Sequence, residues 1–245
     1  MKREIDLNEI SDGRLYGLND MVKADCGDCR GCSDCCHGMG ASIVLDPLDV
    51  FLLERGTAKD AARLLESELE LNVVDGIILP NLKLAGKEEA CPFLNDRGRC
   101  SIHAFRPGIC RLFPLGRIYE DGGVQYFLQV HECTKTAHAK VKVKKWIDVP
   151  DSRRYEQFVV DWHYFLNGLE EEFVARQDDE FQRKCNMLVL QRFYLAPFDK
   201  ERDFYEQFYI RLEEASYQTG TLCFRKDLLP QEPQAEQVRQ SHQGI

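Results

Sequence analysis

Residues 26–36 read Cys26-Gly-Asp-Cys29-Arg-Gly-Cys32-Ser-Asp-Cys35-Cys36. Glycine, aspartate and serine fill the gaps, so this stretch is predicted to be a loop whose path is set by ligands rather than by apolar packing. The set Cys26, Cys29, Cys32 and Cys36 has the spacing C-x2-C-x2-C-x3-C, which is typical of ferredoxin-type iron–sulfur clusters. The stretch therefore predicts a metal site, and it decides how the first half of the chain folds.

The adjacent pair Cys35 and Cys36 adds a second spacing, because Cys29, Cys32, Cys35 and Cys36 read C-x2-C-x2-C-C. Neighbouring side chains of an extended backbone point to opposite sides. The pair therefore indicates either two metal centres back to back or a strained turn around one centre.

Four further cysteines follow at wide intervals, namely Cys91, Cys100, Cys110 and Cys133. A zinc finger would instead show two short C-x2-C knuckles. We predict that these cysteines complete the site begun by residues 26–36. The two stretches together supply nine thiols, one more than two four-ligand centres need, and either Cys26 or Cys35 is predicted to be the extra thiol.

Two arginines flank Cys110, namely Arg106 and Arg111. Four thiolates on a divalent metal carry net negative charge, which nearby donors must offset. We therefore predict that Arg106 and Arg111 support the bound cofactor or form an anion site. His37, His103 and His131 each lie within three residues of a cysteine and are predicted to support the ligands rather than to replace them. Cys185 and Cys223 are predicted to be small buried apolar residues.

Composition limits the compartment and the partners. The chain has 245 residues, eleven cysteines and a net charge of −9, and the acidic balance argues against a general nucleic-acid-binding protein. The N-terminus lacks the apolar core of a signal peptide, and no apolar run is long enough to span a membrane. We therefore expect a cytoplasmic protein without nucleic-acid or membrane partners, in which clustered thiols bind metal rather than form disulfides.

The predicted fold class is α+β, with a cysteine-rich metal-binding domain of short strands and a hairpin, followed by a helical C-terminal region. We divide the chain into a polar lead-in (1–25), the cysteine domain (26–148), an aromatic-rich helical region (149–229) and a disordered tail (230–245). Predicted elements of the cysteine domain are a strand at 42–45, a helix from Asp46-Pro47 to near Gly56, a helix capped by Thr57, β-structure at 73–84 with turns at 75–76 and 80–81, and a hairpin around Asp121-Gly-Gly. Three helices are predicted for the helical region, with breaks near 167–168, 178–179 and 196–197.

Several cysteine motifs in order resemble the CxxCxxCC family, also called YkgJ-like and described as a zinc- or iron-chelating domain. They are Cys29-x2-Cys32-x2-Cys35-Cys36, Cys91-Pro-Phe-Leu, Gly98-x-Cys100-Ser-Ile, Arg106-Pro107-x2-Cys110-Arg111-x-Phe113-Pro114 and Cys133. The resemblance implies that these eight cysteines bind the metal. The chain departs from the family in having the additional Cys26, and in carrying His103 where members usually carry tyrosine.

These observations predict a metal-binding protein with an iron–sulfur cluster, or alternatively zinc, since thiolate sets suit both. By analogy with longer relatives that are flagellin lysine N-methylases, one alternative is a metal-dependent protein-lysine methyltransferase. Another is a non-catalytic, metal-stabilised interaction module whose aromatic helices bind a protein partner. The sequence contains no P-loop and no Ser-His-Asp set, so it assigns no catalytic residue and leaves open whether the chain is an enzyme.

Overall fold

The computed structural model describes residues 6–27, 32–135 and 138–221. Its strands form three antiparallel two-stranded ribbons, β1–β6, β2–β3 and β4–β5. The strands are β1 (Met21–Asp25), β2 (Leu69–Val74), β3 (Ile77–Leu82), β4 (Leu115–Glu120), β5 (Gly123–Leu128) and β6 (Ala139–Lys142). The helices are α1 (Leu7–Ile10), α2 (Pro47–Thr57), α3 (Ala61–Ser67), α4 (Gly108–Leu112), α5 (Val143–Ile147), α6 (Ser152–Arg176), α7 (Asp179–Leu190) and α8 (Phe204–Thr219). Short ribbons followed by packed helices confirm the α+β class.

The helical region is organised by aromatic packing. Phe208 of α8 is fully buried and its ring lies 4.6 Å from that of Phe158 on α6. Trp162 of α6 packs at 4.9 Å on Phe193, which belongs to a π-helical turn, Gln191–Leu195, at the end of α7. Aromatic pairs at such distances add to the free energy that area burial alone supplies.

Side chains of the long helix α6 also hold the cysteine-rich region. The hydroxyl of Tyr155 accepts a hydrogen bond from Arg117 on β4 at 2.5 Å. The hydroxyl of Tyr164 accepts one from the backbone N–H of Gly122, in the turn between β4 and β5, at 3.1 Å. Buried side chains of the two regions form one continuous hydrophobic core, so the ribbons and helices are packed as a unit.

Helix α7 continues the hydrogen bonding of β3 on its outer side. The Asn186 side chain accepts from the N–H of Ile78 at 2.7 Å and donates to the carbonyl of Gly76 at 3.1 Å. Gln182 donates to the same carbonyl at 2.9 Å. The edge of the β2–β3 ribbon is therefore paired with amide side chains.

Several predicted elements are confirmed. Asp46 caps α2 with Pro47 as its first residue, and the turn at Asp75-Gly76 joins β2 to β3. The hairpin around residues 121–123 is β4–β5. Helix breaks occur near residues 178 and 196, as predicted. No helix within the described residues is both long and apolar enough to cross a membrane.

Other predicted elements are wrong, and packing explains most of them. Helix α6 runs through 167–168 without a break because Gly168 is buried within it. Asp60, rather than Thr57, caps α3. Residues 80–81 lie inside β3, where the carbonyl of Pro80 still accepts a hydrogen bond from the N–H of Leu45 at 2.9 Å.

Two segments before α2 also differ from the elements predicted for them. Residues 42–45 contribute only an isolated bridge, Val44 to Asn81, because the backbone there begins in a short 3₁₀ turn, Gly40–Ser42. The lead-in carries α1 and β1 and buries Tyr16, Val22 and Ala24 in the core. The predicted disordered tail, 230–245, lies outside the described residues.

Candidate metal centre

The first thiols sit on a tight turn that follows β1. Asp34–Cys36 is a 3₁₀ turn, in which the N–H of Cys36 donates to the carbonyl of Ser33 at 2.8 Å. A 3₁₀ turn has three residues per turn, so Cys35 and Cys36 leave it in different directions. Cys35 and Cys36 therefore lie on a turn and not on an extended backbone.

Backbone hydrogen bonds fasten this turn to the segment that carries Cys91. The N–H of Cys91 donates to the carbonyl of Cys36 at 2.8 Å, and the N–H of Gly38 donates to the carbonyl of Glu89 at 3.2 Å. A bridge between His37 and Ala90 lies between these two bonds. The two cysteine segments, 55 positions apart (91 − 36), are thus joined by their main chains.

A folded-back loop brings Cys100 to the same end as Cys91. The N–H of Leu94 donates to the carbonyl of Cys91 at 3.0 Å, and the N–H of Ser101 donates to the carbonyl of Phe93 at 2.8 Å. At the tip, the Asn95 carboxamide oxygen accepts from the N–H groups of Arg97 and Arg99, each at 3.0 Å. An Asn side chain satisfying nearby N–H groups is a usual way to close such a turn.

Cys110 is positioned by an aspartate of another helix. It lies on α4, where the N–H of Gly108 donates to Asp49 of α2 at 2.7 Å. Asp49 is buried, and its other oxygen accepts from the N–H of Asp46 at 3.1 Å. A carboxylate at a helix N-terminus interacts favourably with the free N–H groups there. Asp49 therefore fixes α4, and with it Cys110, against α2.

Five thiols converge here, and we call them the inner thiol group: Cys35, Cys36, Cys91, Cys100 and Cys110. All five are half-buried and free of disulfides. A hydrogen bond from Cys36 lowers the pKa of Cys35 to about 7, and the same bond raises the pKa of Cys36. Burial raises the pKa values of Cys91, Cys100 and Cys110, and the charge of Cys35 raises each of them further. Cys35 is therefore close to every other thiol of the group.

Three further thiols, Cys26, Cys32 and Cys133, form an outer thiol group. Burial raises the pKa of Cys133, and the charges of Cys26 and Cys32 raise it further. The Nε2 atom of His138 lies 3.4 Å from the Cys133 sulfur. The hydroxyl of Thr134 donates to the carboxylate of Asp34, which holds this segment against the turn of Cys35 and Cys36. The predicted ligand Cys29 lies outside the described residues.

The two predicted arginines occupy different surroundings. Arg106 faces the inner thiols, since its charge lowers the pKa of Cys100 against the larger raising effect of burial, and its Nη1 atom contacts His103. Its Nε atom is buried without a hydrogen-bond partner. Arg111 instead donates to the carbonyls of Arg106, Asp148 and Ala104, so it braces the loop around α4. His103, the departure from the family pattern, is thus next to Arg106.

The donors suit a thiolate-bound metal, although their side chains are not arranged as in a filled site. Among residues 6–27, 32–135 and 138–221, no three Cys, His, Asp or Glu side chains stand in an arrangement that could already hold an ion. The inner group nevertheless places thiols close enough to share a hydrogen bond and to raise one another's pKa values. Soft thiolate sets select zinc, copper(I) or iron–sulfur clusters. The chemistry of the donors therefore fits the predicted iron–sulfur cluster or zinc.

Sequence reasoning missed His138 and Asp49. His138 follows Cys133 by five positions, and a histidine near a cysteine was a usable signal that we applied only to His37, His103 and His131. Asp49 is far from every cysteine in the sequence, and its role follows from a contact across 59 positions. As predicted, Cys185 is buried, 3% exposed, whereas Cys223 lies outside the described residues.

Comparison with known proteins relates part of the chain to a described family. Residues 28–138 match the family model CxxCxxCC, whose description is "Putative zinc- or iron-chelating domain". No curated protein matches, and no solved structure matches. The matched segment contains every thiol of the inner group and, of the outer group, Cys32 and Cys133 but not Cys26.

Proposed function

We propose that this chain, whose residues 28–138 are a CxxCxxCC domain of the zinc- or iron-chelating type, binds two thiolate-held metal centres, and that these are iron–sulfur clusters. The inner centre would use Cys35, Cys91, Cys100 and Cys110. The outer centre would use Cys26, Cys29, Cys32 and Cys133, with His138 beside it. Cys36 would then be the ninth thiol, which differs from the choice between Cys26 and Cys35 that the sequence suggested.

The separation of the thiols into two groups carries this proposal. In two-cluster ferredoxins, the fourth cysteine of a C-x2-C-x2-C-x3-C run serves a different cluster from the first three. By spacing that fourth cysteine is Cys36 here, but Cys35 is the thiol whose charge acts on Cys91, Cys100 and Cys110, so we assign Cys35 to the inner centre. Here Cys26 and Cys32 lie near the remote Cys133, whereas Cys35 and Cys36 lie near Cys91 and Cys110. That partition favours iron–sulfur clusters over a single zinc ion.

Each centre would have its own protein surroundings. Backbone N–H groups of Phe93, Leu94 and Ile102 interact with the sulfurs of Cys91 and Cys100, and hydrogen bonds to ligand sulfurs tune reduction potentials. Arg106 would offset part of the negative charge of the inner centre. When bound, the clusters would supply electron transfer or Lewis-acid chemistry.

We also propose a reducing, cytosolic location, supported by nine free cysteines within the described residues. Free thiols in such numbers persist where glutathione and thioredoxin keep them reduced. No contact within the described part of the chain favours the methyltransferase or interaction-module alternatives over metal binding. A protein partner at the helical region remains a prediction.

Metal and sulfide analysis of anaerobically purified protein tests the proposal. Iron and acid-labile sulfide in equal amounts are expected, with visible absorbance that bleaches on reduction. If the protein contains zinc and no acid-labile sulfide, the two centres are zinc sites and not iron–sulfur clusters. Protein that binds neither metal, even after reconstitution with iron and sulfide or with zinc, would overturn the proposal.

Single cysteine variants test the partition. Cys110→Ser and Cys133→Ser are each expected to remove one centre and leave the other, so each retains about half of the bound metal. Cys36→Ser is expected to retain both centres, and Cys185→Ser is the matched control in the helical core. If Cys110→Ser and Cys133→Ser each removed all of the bound metal, the thiols would form a single shared centre.

A further inference from the structure

A cavity of about 780 Å³ lies between the inner thiol group and helix α6. Sites for small organic molecules commonly enclose about 300–1,000 Å³ and combine apolar walls with a few polar groups. One wall is formed in part by Gly38 and Met39, which lie two and three positions after Cys36. Ile109, the neighbour of Cys110, belongs to the same wall. The opposite wall comes from α6 and includes Trp162 and Leu166.

The walls are mostly hydrocarbon and aromatic. Val44, Leu79, Leu115, Phe127 and Val159 line the cavity along with the α6 residues. At one side the rings of Tyr119 and His163 stack, with centroids 3.8 Å apart and planes 7° from parallel. Such a surface suits an apolar or aromatic body, and electron-rich ring faces also attract cations.

The charged groups of the lining are mainly acidic. Asp46 and Asp49 lie at the inner end, and Asp75, Glu132 and Glu170 complete a set of five carboxylates. Asp75 and Glu132 are exposed, so they are accessible to solvent around the cavity. A concentration of one sign of charge in a cleft raises the local concentration of oppositely charged molecules.

Arg117 is the cation of the inner end. It donates to Tyr155 at 2.5 Å, and its guanidinium lies near enough to Asp46 and Asp49 to lower both of their pKa values, against the larger raising effect of burial. The charge of Arg111 also lowers the pKa of Asp49, whereas for Asp46 the cation that offsets the burial and the charge of Asp49, which raise its pKa, is Arg117. Asp46 is therefore the carboxyl group of the inner end that a bound cation would stabilise most in its ionised form. Asp46 uses Oδ1 to accept the N–H of Asp49, and its half-buried carboxylate lines the cavity.

We infer that this cavity binds a small organic cation, an ammonium group carried on an apolar body. The ammonium is held by Asp46 at the inner end, and the apolar body lies against Trp162, Leu166 and Phe127. The site adjoins the inner thiol group but uses none of its cysteines as contacts. It is therefore a second site of the molecule, and it does not depend on which metal the thiols bind.

Calorimetric titration with hexylammonium, hexanoate and hexanol tests the inference, because these probes share one chain and differ in charge. Hexylammonium is expected to bind one molecule per chain, at least roughly tenfold more tightly than hexanoate. Equal or tighter binding of hexanoate, or no binding of hexylammonium, would overturn the inference. The same samples are analysed for metal, so that failure of the cavity and failure of the metal centres are read separately.

Asp46→Asn is the decisive variant, since Asn caps a helix as well as Asp does and only the charge is lost. It is expected to weaken hexylammonium binding by roughly tenfold or more while the chain still folds and retains its metal. Asp60→Asn is the matched control, because Asp60 caps α3 in the same way from an exposed position outside the cavity lining. Leu166→Trp, which adds bulk to the wall against which the apolar body lies, is expected to weaken binding. Unchanged affinity in Asp46→Asn would contradict the assignment.

Discussion

The cysteine segments and the helical region hold their shapes by different means. In residues 32–112 the thiol-bearing segments are joined mainly through their backbones, as in the bond between Cys91 and Cys36, and the thiols themselves are half-buried. In residues 152–219 the order rests on buried aromatic rings such as Phe158 and Phe208, both 0% exposed. We therefore expect the thiol-bearing segments to depend on a bound metal for part of their order, whereas the order of the second region rests on ring packing.

The largest expected effect is therefore the removal of metal. Structural metal in small zinc-binding peptides contributes about 10–16 kcal/mol to folding, and its removal would take away the bonds that hold the half-buried inner thiols together. After chelation, amide hydrogen exchange around Cys36, Cys91 and Cys110 is expected to approach that of an open loop. Exchange in α6 and α8 is expected to change little. Equal loss of protection in both regions would show that the comparison is mistaken.

Phe208→Ala is the corresponding change in the helical region. The ring contacts Phe158, Trp162 and Phe193, and removal of a buried phenylalanine side chain costs about 3–5 kcal/mol. Denaturant unfolding is expected to show this loss, while metal per folded chain stays the same. Tyr217→Ala on the same helix, at a position 90% exposed, is the control and is expected to cost less than about 0.5 kcal/mol.

Asp49→Ala is expected to lower both the stability of the fold and the metal affinity of the inner centre. It leaves the N–H of Gly108 without its buried acceptor, at a cost of about 1–3 kcal/mol, and it loosens α4, which carries Cys110. Metal affinity is expected to fall together with stability. Asp60→Ala removes an exposed cap at a cost of about 1 kcal/mol, and metal affinity that fell equally there would contradict the positioning role of Asp49.

The smallest effect concerns an ion pair between two helices. Arg154 of α6 donates to both oxygens of Asp203 at 2.9 and 2.6 Å, and this hydrogen bonding lowers the pKa of Asp203. A lowered carboxyl pKa contributes stability above the unfolded value of about 3.9, and that stability is lost as the pH falls through the folded value.

The variant Asp203→Asn retains an acceptor for the N–H of Glu206 and removes the charge. Because the pair is exposed, the wild-type chain is expected to exceed the variant by less than about 1 kcal/mol at pH 7. Their unfolding free energies should converge below about pH 4. A difference that persisted at low pH would indicate packing rather than charge.

Local patterns were predictable from the sequence where a few neighbouring residues determine the backbone. Asp46-Pro47 starts a helix through its own side chain, and Asp121-Gly122 turns a hairpin because both residues adopt positive φ. The order of the cysteine motifs indicated a metal-binding family without any knowledge of the fold. In these cases the free energies that decide the conformation act within about four residues.

Long-range contacts determined what the sequence did not reveal. The division of the thiols follows from main-chain bonds such as Cys91 to Cys36, and no local spacing encodes them. Gly168 suggested a helix break, yet buried packing outweighs the roughly 1 kcal/mol that glycine costs in a helix. The cavity is formed by five separate stretches of chain, within 38–49, 74–79, 109–119, 127–132 and 159–170, so its charge balance becomes visible only after folding.

The side-chain pairing of β3 by α7 has a consequence for self-association. An unpaired ribbon edge offers N–H and carbonyl groups to any other extended chain, and such edges start aggregation. Asn186 and Gln182 form hydrogen bonds with the N–H of Ile78 and the carbonyl of Gly76. Helix α7 therefore covers that edge. Asn186→Leu has a similar shape and removes the bonds of Asn186 to Ile78 and Gly76, so it is expected to increase self-association through this edge.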